Sequence, residues 1–377
     1  MRFLISIVFA TCVSVLEASQ LVIEADALAA EVETSTVAPV TTESVATTTR
    51  FPRATISNLP AFGPVSLDSP VYEMARRGFQ NMGNTCHFNA AVQMLVHSRR
   101  LRDIVLPLAA APLPEEGPHV LAVRVVNTFA RVMAEQWADT EEARSSERIV
   151  PVELLAALNA YASDNFMIGQ MEDAQRSTTL ILDALVNVGG PVADAVRALT
   201  GSTLHKRLSC NTCAAHRDMD EAVFSLELPL VRGQEMMTLR ESIRLYLAEE
   251  VVEGVDCEPC AAKRSKTFRN RLTPAPLLVM NVKRLGMYGR KIATFIDYPL
   301  EFDMAEYVEG AHGTYRLIGI VHHVGMHYIA DFLHPEDGRW YRADDSSVIP
   351  FYNYLRPLSG EPHLAGPSQT ALLYELI

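Results

Sequence analysis

Three groups of residues in this chain could do chemistry. A single cysteine, Cys86, sits in GFQNMGNTCHFNAAVQML (78–95), behind a Gly- and Asn-rich turn and ahead of an apolar-periodic run. Four more form two Cys-x-x-Cys pairs, Cys210/Cys213 in CNTC and Cys257/Cys260 in CEPC, with 43 residues between the pairs. A histidine and two acids lie near the C-terminus, His327, Asp344 and Asp345, in HYIADFLHPEDGRWYRADD. The sixth cysteine, Cys12, belongs to an N-terminal apolar run.

Two facing Cys-x-x-Cys knuckles supply a tetrahedral thiolate site for one structural zinc ion, because a tight turn brings both sulfurs of a pair to the same metal. Two disulfides are the other reading, consistent with a secreted chain. Cys86 is then the odd thiol. It is a buried small hydrophobe or a nucleophile. Phe88, Ala91, Val92, Leu95 and Val96 trace the stripe of an amphipathic helix, with Asn84 or Thr85 as N-cap. Cys86 would thus lie in a first helical turn, where free N–H groups and the helix dipole favour a thiolate. Asn81 could aim an amide at an oxyanion, or merely bond its own turn.

A thiolate nucleophile needs a base, and the base an orienting group. HYIADFL and WYRADD read as strands, and HPEDG between them as a turn. A hairpin centred on Pro335–Asp337 brings His327 opposite Asp344 or Asp345, give or take a residue or two. A surface histidine beside a solvated strand end is the plainer reading.

The rest of the chain must position these groups. It has 377 residues, 49% of them apolar, enough for a sizeable core. The net charge of −12 argues against nucleic-acid binding. MRFLISIVFATCVSVLEAS (1–19) reads as a signal peptide, or alternatively a signal anchor; residues 20–70 read as a disordered Thr/Ser/Val/Glu-rich stalk. Helical periodicity marks VLAVRVVNTFARVMAEQ, VPVELLAALNAY, STTLILDALVNV and TLRESIRLYLAEE, whereas the stretch from Leu277 onward reads as strands. The class is α+β.

With these motifs in hand, the chain resembles the ubiquitin-specific proteases, papain-like cysteine deubiquitinases. GFQNMGNTCHFNAAVQML is similar to their cysteine box and HYIADF…WYRADDSSV to their histidine box; CNTC and CEPC fall where the zinc-bearing fingers would be. LTPAPLLVMNVKRL, RKIATFIDYPLEFDM and TALLYELI resemble core strands of the family. The resemblance implies a catalytic domain over 71–377, with a helical thumb (about 71–203), zinc-bearing β fingers (about 204–273) and an antiparallel β palm (about 274–377). By position it implies Cys86 as nucleophile, His327 as general base, Asp344 as its orienting group, Asp345 as an assistant and Asn81 as the oxyanion amide. Cys210, Cys213, Cys257 and Cys260 would hold structural Zn(2+). The implied activity is hydrolysis after ubiquitin's terminal glycine, by a monomer acting on ubiquitin and ubiquitinated proteins. The other readings are a weakly active or inactive ubiquitin-binding module and a protease for another ubiquitin-like modifier. His87 stands where the family has an aromatic residue and Ala90 where it has Ser. GQMEDAQRST (169–178) keeps Asp173 and Ala174 of a family box but has Met171, Arg176 and Ser177 in place of Gln, Glu and Phe. The N-terminus implies a secreted protein, or a membrane-anchored one with its catalytic domain in the cytosol; a membrane is a partner only if that segment is retained.

Overall fold

The computed structural model describes residues 77–141, 146, 148–162, 169–213, 215–260, 263–284, 291–350 and 368–377. The expected signal peptide and stalk lie outside the described residues. The elements below belong to one compact unit, 65–284 with 293–377. A second unit, 1–64 with 285–292, contributes only residues 291 and 292 to the described set. No helix among the described residues is long and apolar enough to cross a membrane.

Helices dominate the first part: α1 Cys86–Val96, α2 Arg99–Val105, α3 Val120–Gln136, α4 Val152–Ala162, α5 Ala174–Asn187 and α6 Gly190–Thr200. Two short strands, β1 Gly78–Phe79 and β2 Arg148–Ile149, pair in parallel among them. The spacing in the sequence predicts a half-exposed α1. Instead, all of its residues are buried, because it packs against α5 on one side and the large sheet on the other. Phe88, Val92, Met94, Leu95 and Val96 are fully buried, worth about 1.5–3 kcal/mol per large side chain. Tertiary burial therefore fixes the position of this helix. Its buried polar residues must find partners: Gln93 donates through Nε2 to the Arg77 carbonyl at 2.9 Å, and His87 and Asn89 bond within the site described below.

Next comes a four-stranded antiparallel sheet built from β3 Ser202–Cys210, β4 His216–Val223, β7 Glu250–Asp256 and β8 Lys263–Thr273, in the order β4-β3-β8-β7. Between β4 and β7 the chain forms β5 Leu226–Leu228, β6 Met236–Thr238 and α7 Leu239–Tyr246. A capping box starts α7: Thr238 Oγ1 accepts from the Glu241 N–H while the Glu241 carboxylate accepts from the Thr238 N–H.

The last part is a large, mainly antiparallel sheet. It comprises β9 Leu277–Val282, β11 Glu301–Asp303, β12 Thr314–Val324, β13 His327–Leu333, β14 Trp340–Asp344, β15 Ser347–Pro350 and β16 Gln369–Leu376, together with β5. Its order is β15-β14-β13-β12-β16-β9-β5, with β11 added on β12 and only β5–β9 parallel. The intervening β10 Phe295–Asp297 pairs with β6 outside this sheet. One face of β12, β13 and β16, through Val321, Ala330 and Leu373, joins the helical residues Phe88, Phe129 and Leu185 in a single core. A buried carboxylate, Glu375 on β16, meets Arg100 on α2 at 3.0 Å and ties the helical layer to the sheet.

Candidate active site

Cys86 opens α1 and is only 3% exposed. Thr85 precedes it as N-cap but makes no capping side-chain bond. Its hydroxyl instead accepts from the Met82 N–H at 2.9 Å and meets Asn81 Oδ1 at 3.3 Å, so it closes the turn rather than the helix. Asn84 adopts a left-handed conformation, φ 55°, and donates through Nδ2 to the Gly169 carbonyl at 2.9 Å. The sequence predicts that the helix start favours the thiolate. Burial wins instead: it pushes the Cys86 thiol up, and the Asp345 carboxylate pushes it further, against the backbone N–H groups of Tyr328, His87 and Cys86. A reactive thiolate here therefore needs a cationic partner.

His327 begins β13, beside the Tyr328 whose backbone N–H faces the thiol. The β13–β14 ladder pairs Ala330 with Ala343 and Leu333 with Trp340, which leaves Asp344 two residues from the position level with His327. The side chains close the gap: Nε2 of His327 lies 2.7 Å from Oδ1 of Asp344. An ionised carboxylate only accepts, so Nε2 carries the proton and Nδ1 stays free as the basic nitrogen.

Asp345 behaves differently from its neighbour. Its backbone is left-handed, φ 48°, at the turn between β14 and β15. That conformation is one that Asp tolerates better than most residues. Its carboxylate lies 4.0 Å from His327 Nε2 but accepts two close amide bonds, from Asn89 Nδ2 at 2.7 Å and Asn81 Nδ2 at 2.8 Å. Asn81 is held from its other end as well, Oδ1 accepting from the N–H groups of Gly83 at 3.0 Å and Thr85 at 3.2 Å. Asp345 thus fixes the Asn81 amide, while Asp344 is the acid on the histidine.

Gly78 explains how two distant segments meet. The Phe79 N–H donates to the Asp345 carbonyl at 2.8 Å. A Cβ on Gly78 would sit 2.3 Å from both that oxygen and the Ser346 carbonyl carbon. No side chain fits there.

Sequence reasoning misses Asn89 as a site residue. Its signal is an amide three residues after Cys86 in a helix with few other polar groups. It also treats His87 and Ser177 as two unrelated departures, whereas Nδ1 of His87 lies 2.8 Å from Oγ of Ser177. Asp173, retained in the altered box, caps α5 by accepting from the Gln175 N–H at 3.0 Å and meets the Tyr328 hydroxyl at 3.5 Å. Burial pushes its carboxyl up.

The four remaining described cysteines converge. Cys210 and Cys213 lie at the β3–β4 turn, Cys257 and Cys260 at the β7–β8 turn, and their sulfurs all fall within 4.8 Å of one another. Cys210 and Cys260 are 3.9 Å apart, Cys213 and Cys257 3.7 Å. All four are free thiols. Disulfide sulfurs would be about 2.05 Å apart. A tetrahedron with metal–sulfur bonds of about 2.3 Å has edges of about 3.8 Å. The four thiols fit a closed zinc site, and the disulfide reading is set aside.

The architecture is mixed α+β, and it brings Cys86, His327 and Asp344 into one region of the helix–sheet interface. A family model described as ubiquitin carboxyl-terminal hydrolase matches residues 77–355, and the chain belongs to that family. It is 25% identical over 320 residues to ubiquitin carboxyl-terminal hydrolase 2 of Homo sapiens, covering 72% of this chain and 52% of the relative. It is 24% identical over 349 residues to ubiquitin carboxyl-terminal hydrolase Usp2 of Drosophila melanogaster, covering 79% and 34%. The chain thus spans about half or less of the length of these relatives. Among solved structures, a chain of the SAGA DUB module of Ubp8, Sgf11, Sus1 and Sgf73 bound to monoubiquitin shares the fold at a TM-score of 0.64 with 19% identity, covering 82% of this chain and 71% of that one.

Proposed function

We propose that this protein is a thiol deubiquitinase that hydrolyses the peptide or isopeptide bond after ubiquitin's C-terminal glycine. The observation that carries the reading is the convergence of a buried helix-start cysteine, a histidine bonded to Asp344 and an amide fixed by Asp345. Cys86 gives its proton to Nδ1 of His327, and the imidazolium stabilises the thiolate that burial alone disfavours. The sulfur attacks the scissile carbonyl. Asn81 Nδ2, one of whose hydrogens is committed to Asp345, offers the other to the oxyanion, with backbone N–H groups near Cys86 alongside. His327 then protonates the leaving amine and afterwards activates the water that releases the acyl group. Asp344 holds the tautomer throughout.

Cys210, Cys213, Cys257 and Cys260 would hold zinc. Four thiolates leave no open coordination position, so the ion would brace the two turns and take no part in the reaction. The substrate class is ubiquitin and ubiquitinated proteins, taken by a monomer. The apolar N-terminus supports a secretory route, with a retained membrane anchor as the alternative.

Turnover of a fluorogenic ubiquitin C-terminal amide tests the proposal. Wild type should release the fluorophore, and Cys86→Ala and His327→Ala should not, with folding retained in both. Binding of ubiquitin without turnover would replace the proposal with a binding module, and turnover confined to another ubiquitin-like substrate would change the modifier.

A further inference from the structure

His87 and Ser177 stand where the family resemblance implies aromatic side chains. They lie 90 residues apart in sequence, yet they contact each other in the core: His87 is 3% exposed, Ser177 is fully buried, and Nδ1 and Oγ are 2.8 Å apart. One hydrogen bond therefore joins the first turn of α1 to the first turn of α5. The two turns differ in how they are otherwise held. That of α1 has no side-chain cap and is otherwise tied across to the sheet by Asn89, whose Nδ2 donates to Asp345 at 2.7 Å. That of α5 is capped by Asp173 and anchored to the sheet by Gln175, whose Nε2 donates to the carbonyls of Thr370 at 2.7 Å and Val282 at 3.2 Å. Asp173 also meets the Tyr328 hydroxyl, and Tyr328 follows His327 and faces the Cys86 thiol through its backbone N–H. The contacts close a ring: Cys86 to His87, His87 to Ser177, along α5 to Asp173, then through Tyr328 to His327.

We infer that His87 and Ser177 are a positioning pair, in which a hydrogen bond between α1 and α5 sets the approach of the Cys86 sulfur to His327. Neither side chain bonds the reacting atoms; His87 meets the Cys86 thiol only through its backbone N–H. Their effect is on the geometry of the thiol and base, and misplacement of reacting groups by about 1 Å can cost up to roughly 100-fold in rate. The inference rests on the thiol acyl-transfer reading above, so its test has one arm that needs no ubiquitin.

Full-length wild type, Ser177→Ala and Ser177→Thr are compared well below their melting temperatures. One arm measures kcat and KM on a fluorogenic ubiquitin amide. The other measures the pH profile of Cys86 alkylation by iodoacetamide, read from the mass of the Cys86 peptide. Ser177→Ala should lose roughly tenfold in kcat with KM within about twofold, since orientation and not binding is disturbed. Its alkylation profile should move to higher pH as the thiol–imidazole pair loosens, and Ser177→Thr, which keeps the hydroxyl, should restore both. If Ser177→Ala fails to fold, Ser177→Cys, near in volume but a weaker hydrogen-bonding partner, is read in its place with the same expectations. Unchanged kcat and alkylation in Ser177→Ala, or equal losses in the Ala and Thr variants, would overturn the inference and reduce the pair to packing. A wild type inert toward ubiquitin whose alkylation profile still shifts in Ser177→Ala would leave the pair standing and remove the ubiquitin reading.

Discussion

Acid should destabilise this fold through one buried imidazole. His87 is buried and held well below the ordinary histidine value of 6.5, at about 4, by the cost of burying a charge. Above pH 6.5 the ring is neutral in both folded and unfolded chains and contributes nothing to the pH dependence. As the pH falls below 6.5 the unfolded chain takes up a proton that the folded chain refuses, so stability is lost until the pH reaches about 4, where the folded ring protonates too. At 1.36 kcal/mol per pKa unit, that interval amounts to about 3 kcal/mol. The assay is urea denaturation of wild type and His87→Gln at several pH values from 7.5 to 4 under one ionic strength. Asp173 and Glu375, whose carboxyls burial pushes up, favour the fold as the pH falls, but they do so in both proteins and cancel in the difference. Wild type should therefore lose about 3 kcal/mol more than the variant across this window. Parallel curves for the two proteins would mean instead that burial does not hold the His87 ring neutral in the fold.

Other perturbations separate the roles of neighbouring residues. Asp345→Ala should cost more in kcat than Asp344→Ala, on the order of 100- to 1,000-fold, because it removes the carboxylate that aims the Asn81 amide and holds Asn89; larger losses in Asp344→Ala would reverse the two assignments. Gly78→Ala should destabilise by about 1–3 kcal/mol and lower activity together, since a Cβ there displaces the Asp345–Ser346 backbone; a circular-dichroism melt unchanged from wild type would contradict that. Purified protein should carry one zinc ion per chain by elemental analysis, and chelation should lower the melting temperature before it lowers the rate of molecules still folded. Fully active, unaltered metal-free protein would dismiss the site.

Much of this was legible in the sequence, and the reasons are local. Helix periodicity located α3, α4, α5 and α7, and the Pro335–Asp337 turn located the β13–β14 hairpin, because these signals depend on neighbours in the chain. Knuckle spacing brought Cys210, Cys213, Cys257 and Cys260 to one point for the same reason. What the sequence hides is long-range. The complete burial of α1 depends on the sheet beneath it, and so does the burial that raises the Cys86 thiol. The division of labour between Asp344 and Asp345 is set by a left-handed turn and by amides over 250 residues away in sequence. Neither is written in a spacing rule. The pairing of His87 with Ser177 is hidden in the same way, since each reads as an isolated oddity until α1 and α5 are packed together.

A ubiquitin bearing a C-terminal thiol-reactive electrophile, with the adduct mapped by peptide mass, tests Cys86 as the nucleophile and His327 as its base. One covalent ubiquitin per chain is expected, attached at Cys86, absent in Cys86→Ala and strongly slowed in His327→Ala. An adduct on Cys210, Cys213, Cys257 or Cys260, or undiminished labelling of the Cys86→Ala protein, would contradict that assignment.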